Sequence, residues 1–223
     1  MTAPGHSHGG PPAPAPAASS SALRLIATLG GAGAAAGALI VVAFTLTQPR
    51  IEAHRAARLD AAVQEVLKAP ARYDTLWIVD GKLARQPAAG RNPADDRVFH
   101  GYDAEGKAIG YAVVNAAPGF ADVVRVIFGY DPATRTLLGM KVLESKETPG
   151  LGDRIELDSA FVTQFGGLLT PLVGVKTGQS KGQPNEVDMI TGATISSRTV
   201  IKIINEALVR VGPALEAGEA ATP

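Results

Sequence analysis

A chain of 223 residues with 21 basic and 21 acidic side chains offers no basic face to a polyanion, which argues against a nucleic-acid partner. It contains no cysteine, so disulfides, thiolate-ligated iron–sulfur clusters and cysteine nucleophiles are excluded together. Any redox chemistry must come from an organic cofactor or a partner subunit.

Residues 1–22 open with "MTAPGHSHGGPPAPAPAASS", rich in Pro, Ala, Gly and Ser, a composition that cannot pack a core and reads as a disordered tail. His6 and His8 within it read as solvated side chains and not as metal ligands. From Leu25 to Pro49 there is no charged residue. That length exceeds the roughly 20 apolar residues needed to cross a bilayer, so residues 23–48 are expected to form a transmembrane helix. Gly33 and Gly37 have the spacing that lets a second helix approach, although a Gly/Ala-rich helix contains such pairs by composition alone. A cleaved leader would have a shorter apolar core, about 7–15 residues, and a small-residue cleavage site. "TLTQPRIEAH" supplies no such site, so the segment reads as an uncleaved anchor. Arg24 precedes the span while Arg50, Arg55 and Arg58 follow it, a bias that by itself places the C-terminal part in the cytoplasm.

Residues 49–70 are expected to form a juxtamembrane helix, with Ile51, Leu59, Val63, Val66 and Leu67 on its apolar face and Pro70 closing it. Strand-like runs follow: "TLWIVDGKLA", "RVFHGYDAEGKAIGYAVVN" and "DVVRVIFGYDPATRTLLGMKVLES". Each is broken by turn residues such as Asp80-Gly81, Glu105-Gly106 and Asp131-Pro132. The last run predicts a hairpin pairing Val123–Tyr130 with Leu137–Leu143. A helix is expected over Asp158–Leu168, then short strands at Leu172–Val175 and Glu186–Ile190, and a final helix over Ser196–Val211. The order of elements predicts an α+β domain over residues 71–212, followed by a flexible C-terminal tail, 213–223.

Two stretches stand apart. "VDMITGATISSRTV", residues 187–200, crowds hydroxyls and a Gly-Ala pair between a short apolar run and a helix start. A helix N-terminus carries unpaired N–H groups that hold phosphate readily. The plainer reading is an ordinary cap supplied by Thr194, Ser196 or Ser197. "ESKETPGLGDRI", residues 144–155, forms a tight Gly/Pro loop whose backbone has room to lie against a flat ligand, with Leu151 held between two glycines. Read alone, this second stretch is also a plain turn.

Taken together and in this order, behind a single N-terminal span, "KETPGLGDRI" and "DMITGATISS" resemble the FMN-binding domain of the G subunit of the Rnf electron-transport complex. The same domain occurs in the C subunit of the sodium-pumping NADH:quinone oxidoreductase. The resemblance covers roughly residues 22–212. It implies that the last threonine of an acid-x-x-Ser/Thr-Gly-Ala-Thr pattern carries FMN through a phosphoester bond. Asp188, Thr191, Gly192, Ala193 and Thr194 fill that pattern, which makes Thr194 the expected attachment site and the five residues the expected recognition sequence for a flavin transferase that draws on FAD. Glu147, Thr148, Leu151 and Gly152, with Thr191, Gly192 and Ala193, are the expected cofactor contacts.

The resemblance also implies a relay subunit of an ion-translocating ferredoxin:NAD oxidoreductase. Its partners would be other membrane subunits, and its domain would lie on the periplasmic side of the bacterial inner membrane, against the charge bias. The equivalent subunit of the quinone reductase, and a tethered FMN-binding regulatory module without electron-transfer partners, are the alternatives. The remaining candidates have blander readings: His54 solvated, His100 without a partner at metal spacing, Glu144 and Asp153 loop polars. Tyr102, Tyr111, Phe120 and Phe128 read as core aromatics and Trp77 as a domain anchor. No catalytic residue and no metal site is expected, and the chain is not expected to act as a complete enzyme alone.

Overall fold

The computed structural model describes residues 22–90 and 96–220, in two units divided between Ala53 and His54. His6 and His8 lie outside the described residues. Helix α1, Ala22–Val66, is unbroken and contributes to both units. Its apolar window is wholly exposed, as a surface facing lipid would be. The hydroxyls there are satisfied internally: Thr28 donates to the Arg24 carbonyl at 2.9 Å and Thr47 to that of Ala43 at 2.8 Å. In hydrocarbon no water could do this. Pro49 is accommodated within the helix, so the expected division at 48/49 leaves no break.

The helix ends at Val66, ahead of the expected closure at Pro70. Lys68 and Ala69 turn to φ 59° and 58°, and the Ala69 N–H reaches back to the Gln64 carbonyl at 2.7 Å, closing the last turn.

In the second unit, β1 (Arg72–Val79) and β2 (Lys82–Ala84) form a hairpin across Asp80-Gly81. Both turn residues have positive φ, as a two-residue hairpin turn with the sheet's own twist requires. Strands β3 (Arg97–Tyr102), β4 (Ala108–Pro118), β5 (Val123–Asp131) and β6 (Thr136–Glu144) complete an antiparallel sheet in the order β2-β1-β3-β4-β5-β6. The expected hairpin of β5 and β6 is present.

Because side chains alternate across a strand, the sheet buries two faces. Phe99, Ala112 and Ile127 pack against Ala62, Val63, Val66 and Leu67 at the end of α1. Their neighbours Val98, Val113, Val126 and Phe128 face the opposite way, into the larger core. Gly129 permits the first contact: a Cβ there would lie 2.3 Å from the Val66 carbonyl oxygen.

The helix expected over Asp158–Leu168 is shortened to α3 (Ser159–Thr163), and an unexpected single turn, α2 (Arg154–Leu157), precedes it. Asp158 interrupts them with an extended backbone and caps α3 by accepting the Phe161 N–H at 3.3 Å. Strands β7 (Val173–Lys176) and β8 (Glu186–Met189) pair in parallel as a separate small sheet. Helix α4, Thr194–Ala220, lies over the main sheet with Val200, Ile203, Ile204, Ala207 and Val211 buried.

The flexible tail expected over 213–223 is corrected as far as Ala220: α4 continues through Pro213. The physical reason is burial. Leu215 is fully enclosed in the larger core, Ala214 is buried, and Arg135 pairs with Glu216 at 3.0 Å. These contacts offset the backbone bond that proline removes. Leu215→Ala is therefore expected to lower unfolding stability by about 2–5 kcal/mol, as for other buried leucines, measured by urea denaturation of the detergent-solubilised chain.

Candidate functional site

The two stretches singled out in the sequence meet in space. A cleft of about 340 Å³ is lined by Phe120, Glu147, Thr148, Leu151 and Gly152 on one side and by Gly192–Ser196 on the other. Its volume lies within the range of about 300–1,000 Å³ usual for small-molecule sites. A Cβ built on Gly192 would sit 3.9 Å from Leu151 Cδ2, so the glycine loop covers the hydroxyl-rich turn. A larger cleft, about 860 Å³, lies between β1–β3 and the end of α4 and shares no residue with this one.

Strand β8 delivers the turn. Its backbone is held on one side by β7 and on the other by Gln164, whose side-chain oxygen accepts the Asp188 N–H at 2.8 Å and whose Nε2 donates to the Asp188 carbonyl at 3.3 Å. Gly192, at φ 86°, makes the reversal that a residue with a Cβ would resist. Arg154 donates to the Thr191 carbonyl at 3.2 Å. Helix α4 then starts, with the Ser197 N–H donating to the Ala193 carbonyl at 2.9 Å as its first backbone bond.

The ordinary cap expected from Thr194, Ser196 or Ser197 does not form, because Ala193 occupies the capping position and has no side-chain acceptor. The N–H groups of Thr194, Ile195 and Ser196 consequently make no hydrogen bond among the described residues.

The hydroxyls of the motif fall into two groups. Thr191 donates to Thr177 Oγ1 at 3.0 Å, and Thr177 donates to the Met189 carbonyl. Ser196 donates to Glu147 Oε2 at 2.6 Å, Ser197 Oγ accepts the Ile190 N–H at 3.1 Å, and Thr199 donates to the Pro118 carbonyl at 3.4 Å. Thr194 alone among them has a hydroxyl with no partner among the described residues, and it is half-buried in the cleft wall.

Glu147, expected as a cofactor contact, lines the cleft but spends its carboxylate on the protein. Oε1 accepts the N–H groups of Phe120 at 2.8 Å and Ala121 at 3.0 Å, and Oε2 accepts Ser196. The side chain is 5% exposed. Burial on its own would raise this carboxyl, but the hydrogen bonds from Ser196, Ala121 and Phe120 outweigh it and hold the group below the ordinary glutamate value.

The other expected residues divide clearly. Thr148, Leu151, Gly152, Gly192, Ala193 and Thr194 gather at the cleft, whereas Thr191 and Asp188 do not line it. Asp188 Oδ1 is buried without a hydrogen-bond partner, as is Asp153 Oδ1. Glu144 lies on the surface near Arg55 and Arg125. His54 is exposed; His100 is buried, stacked on Tyr111 with centroids 4.2 Å apart, and its Nδ1 meets the Tyr102 hydroxyl at 2.9 Å. Tyr111 and Phe128 are core aromatics, Tyr102 is half-buried, and Trp77 is half-buried in β1.

Phe120 overturns its expectation as a core residue. It is 67% exposed at the cleft rim, because its chain turns there onto Glu147 instead of entering the sheet. Gln164 and Thr177 were also not legible as site residues: each acts through hydrogen bonds to a segment distant in sequence.

Residues 119–209 match the family described as the FMN-binding domain. The G subunit of the ion-translocating oxidoreductase complex of Pectobacterium atrosepticum is 31% identical over 179 residues, covering 79% of this chain and 84% of that protein. Its counterpart of the same name from Vibrio vulnificus is 30% identical over 170 residues, with coverages of 74% and 78%. That of Methanosarcina acetivorans is 28% identical over 190 residues, with coverages of 83% and 92%. Among solved structures, NqrC of Shewanella oneidensis superposes with a TM-score of 0.62 at 19% identity, over 74% of this chain and 99% of that one, a likeness of fold.

Since Glu147 is held below its ordinary value, the clamp contributes fully above the unfolded glutamate range and its contribution is lost as the pH falls through the lower folded value. Glu147→Ala is expected to destabilise the domain by about 1–3 kcal/mol at neutral pH. The gap to wild type should narrow on acidification, as read from urea midpoints across the acid range.

Proposed function

The chain belongs to the family of G subunits of ion-translocating oxidoreductase complexes, and on that premise we propose that Thr194 carries FMN through a phosphoester bond. The protein is a membrane-anchored flavoprotein electron-transfer subunit that works with other subunits of its complex. One observation carries the choice of residue: of the hydroxyls in the motif, only that of Thr194 is left without a partner among the described residues, beside three open N–H groups.

The residues fit the cofactor. An anionic phosphodiester at the first turn of a 27-residue helix meets the positive end of the helix dipole and free donors. Attachment requires the Thr194 Oγ1 to displace AMP from FAD: an Oγ1–P bond forms, the pyrophosphate P–O bond breaks, and the hydroxyl proton passes to a base of the transferase. Gly192 and Ala193 present no bulk to obstruct that approach. Thr148 would offer a hydrogen bond to the ring system and Leu151 an apolar contact. Asp188, with Oδ1 unpaired, and Thr191, fixed through Thr177, would serve as the recognition sequence of the transferase. FMN, once bound, supplies the electron chemistry, and the protein supplies position and environment. The electron route would link ferredoxin and NAD through neighbouring subunits.

Co-expressed with a flavin transferase, the wild-type chain should fluoresce in a denaturing gel, since only covalent flavin survives denaturation. Thr194→Val should abolish the signal with the fold retained, and Asp188→Ala should reduce it. A fluorescent Thr194→Val band would contradict the assignment.

We further propose that the domain lies on the periplasmic side, with the tail, residues 1–24, inside. Three arginines after the span against one before it favour the reverse, but a charge bias is a preference that neighbouring spans can override. Protease added to intact spheroplasts should cut the domain. Protection until lysis would show that the charge bias governs, and would put Thr194 out of reach of an external transferase.

A further inference from the structure

We propose that Phe120, with Leu151, forms an apolar wall of the flavin site, and that Glu147 is the residue that positions it. The inference rests on FMN being carried at Thr194. It starts from a side chain in an expensive place: Phe120 is 67% exposed, whereas Tyr111, Phe128, Phe161 and Phe165 are buried in the core. Two other large apolar side chains of the same cleft are also exposed, Leu151 at 53% and Ile195 at 51%. The three come from separate segments, the β4–β5 turn, the glycine loop and the first turn of α4. Together they line a cleft that also holds Thr194 and its glycine turn. Apolar surface gathered at a cleft calls for an apolar occupant. A flat aromatic ring system tethered at Thr194 meets that description, and a phenyl ring offers it face or edge contact.

The turn that carries Phe120 is not free to fold away. The Gly119 N–H donates to the Asp122 carbonyl at 2.8 Å, closing the turn. Glu147 Oε1 accepts the next two N–H groups, and Lys146 pairs with Asp122 at 3.1 Å, so consecutive residues of the glycine loop hold it. The other carboxylate oxygen accepts Ser196, two residues beyond Thr194. There is no slack around this group: a Cβ on Gly119 would lie 2.3 Å from Oε1, and one on Gly152 2.6 Å from Oε2. Glu147 thus fixes the separation between the Phe120 turn and the attachment helix. Both its oxygens are occupied in doing so, which makes it a positioning residue and not a ring contact.

The test uses the full chain in detergent, loaded by a co-expressed transferase, with loading and attachment at Thr194 measured by mass spectrometry for every variant. Flavin fluorescence is quenched with iodide and normalised to loaded flavin. Phe120→Ala should raise the quenching constant by about twofold or more, because one face of the ring loses its apolar cover, and should shift the visible flavin bands. Glu147→Ala should do the same with Phe120 intact. Glu147→Gln should restore wild-type quenching, since the amide oxygen still accepts both N–H groups and its nitrogen can donate to Ser196 Oγ. Val209→Ala, exposed elsewhere on α4, sets the baseline. Unchanged quenching in Phe120→Ala, with flavin confirmed on Thr194, would overturn the wall. A change in Phe120→Ala without one in Glu147→Ala would overturn the positioning role. A wild-type chain without flavin on Thr194 would instead overturn the reading beneath both.

Discussion

The carboxylate of Glu147 joins three segments that are far apart in the chain: the turn after β4, the glycine loop after β6 and the first turn of α4. Burying an anion is costly unless its oxygens are fully paired, and here three donors converge on it. Removing the carboxylate would leave Ser196 and two backbone N–H groups in search of acceptors. The cleft exists because these segments cannot drift apart, and the two glycines beside the carboxylate let them come that close. The cleft is therefore held by a polar clamp at the rim of an apolar core, and not by the core alone.

The rest of the fold works to hold α4 still while leaving its N-terminus open. Its apolar face is buried along the helix as far as Leu215, Asn115 donates to the Ile203 carbonyl at 2.9 Å, and Asn205 exchanges hydrogen bonds with the backbone of Leu172. Strand β8 is fixed on both sides, so Gly192 reverses from a rigid base. Placing Ala193 at the cap leaves three N–H groups unmet at a point where most helices would satisfy them with a side chain. Open donors at a rigid helix end are preorganised for an anion, since little must reorganise when one binds.

Much of this was legible in the sequence, for identifiable reasons. The strands and hairpins followed from alternating apolar runs punctuated by Asp-Gly and Asp-Pro, which are local signals. The two motifs were visible because glycines and hydroxyls crowd where neither packing nor propensity asks for them. What escaped depended on contacts distant in sequence. The short helix before Asp158 was not expected and the one after it stops at Thr163, Leu215 draws the supposed tail into the core, and Phe120 is turned outward by a glutamate 27 residues later. Glu147 was singled out in the sequence as a candidate contact, but its role as a clamp could not be read without knowing that Ser196 lies beside it.

The central claim is that a single unengaged hydroxyl, that of Thr194, receives the flavin phosphate while its neighbours stay bound within the protein. Peptide mass spectrometry after co-expression with a flavin transferase tests this most directly. The account predicts one FMN per chain, on Thr194. Finding the flavin on Thr191 or Ser196, whose hydroxyls are tied to Thr177 and Glu147, would contradict it.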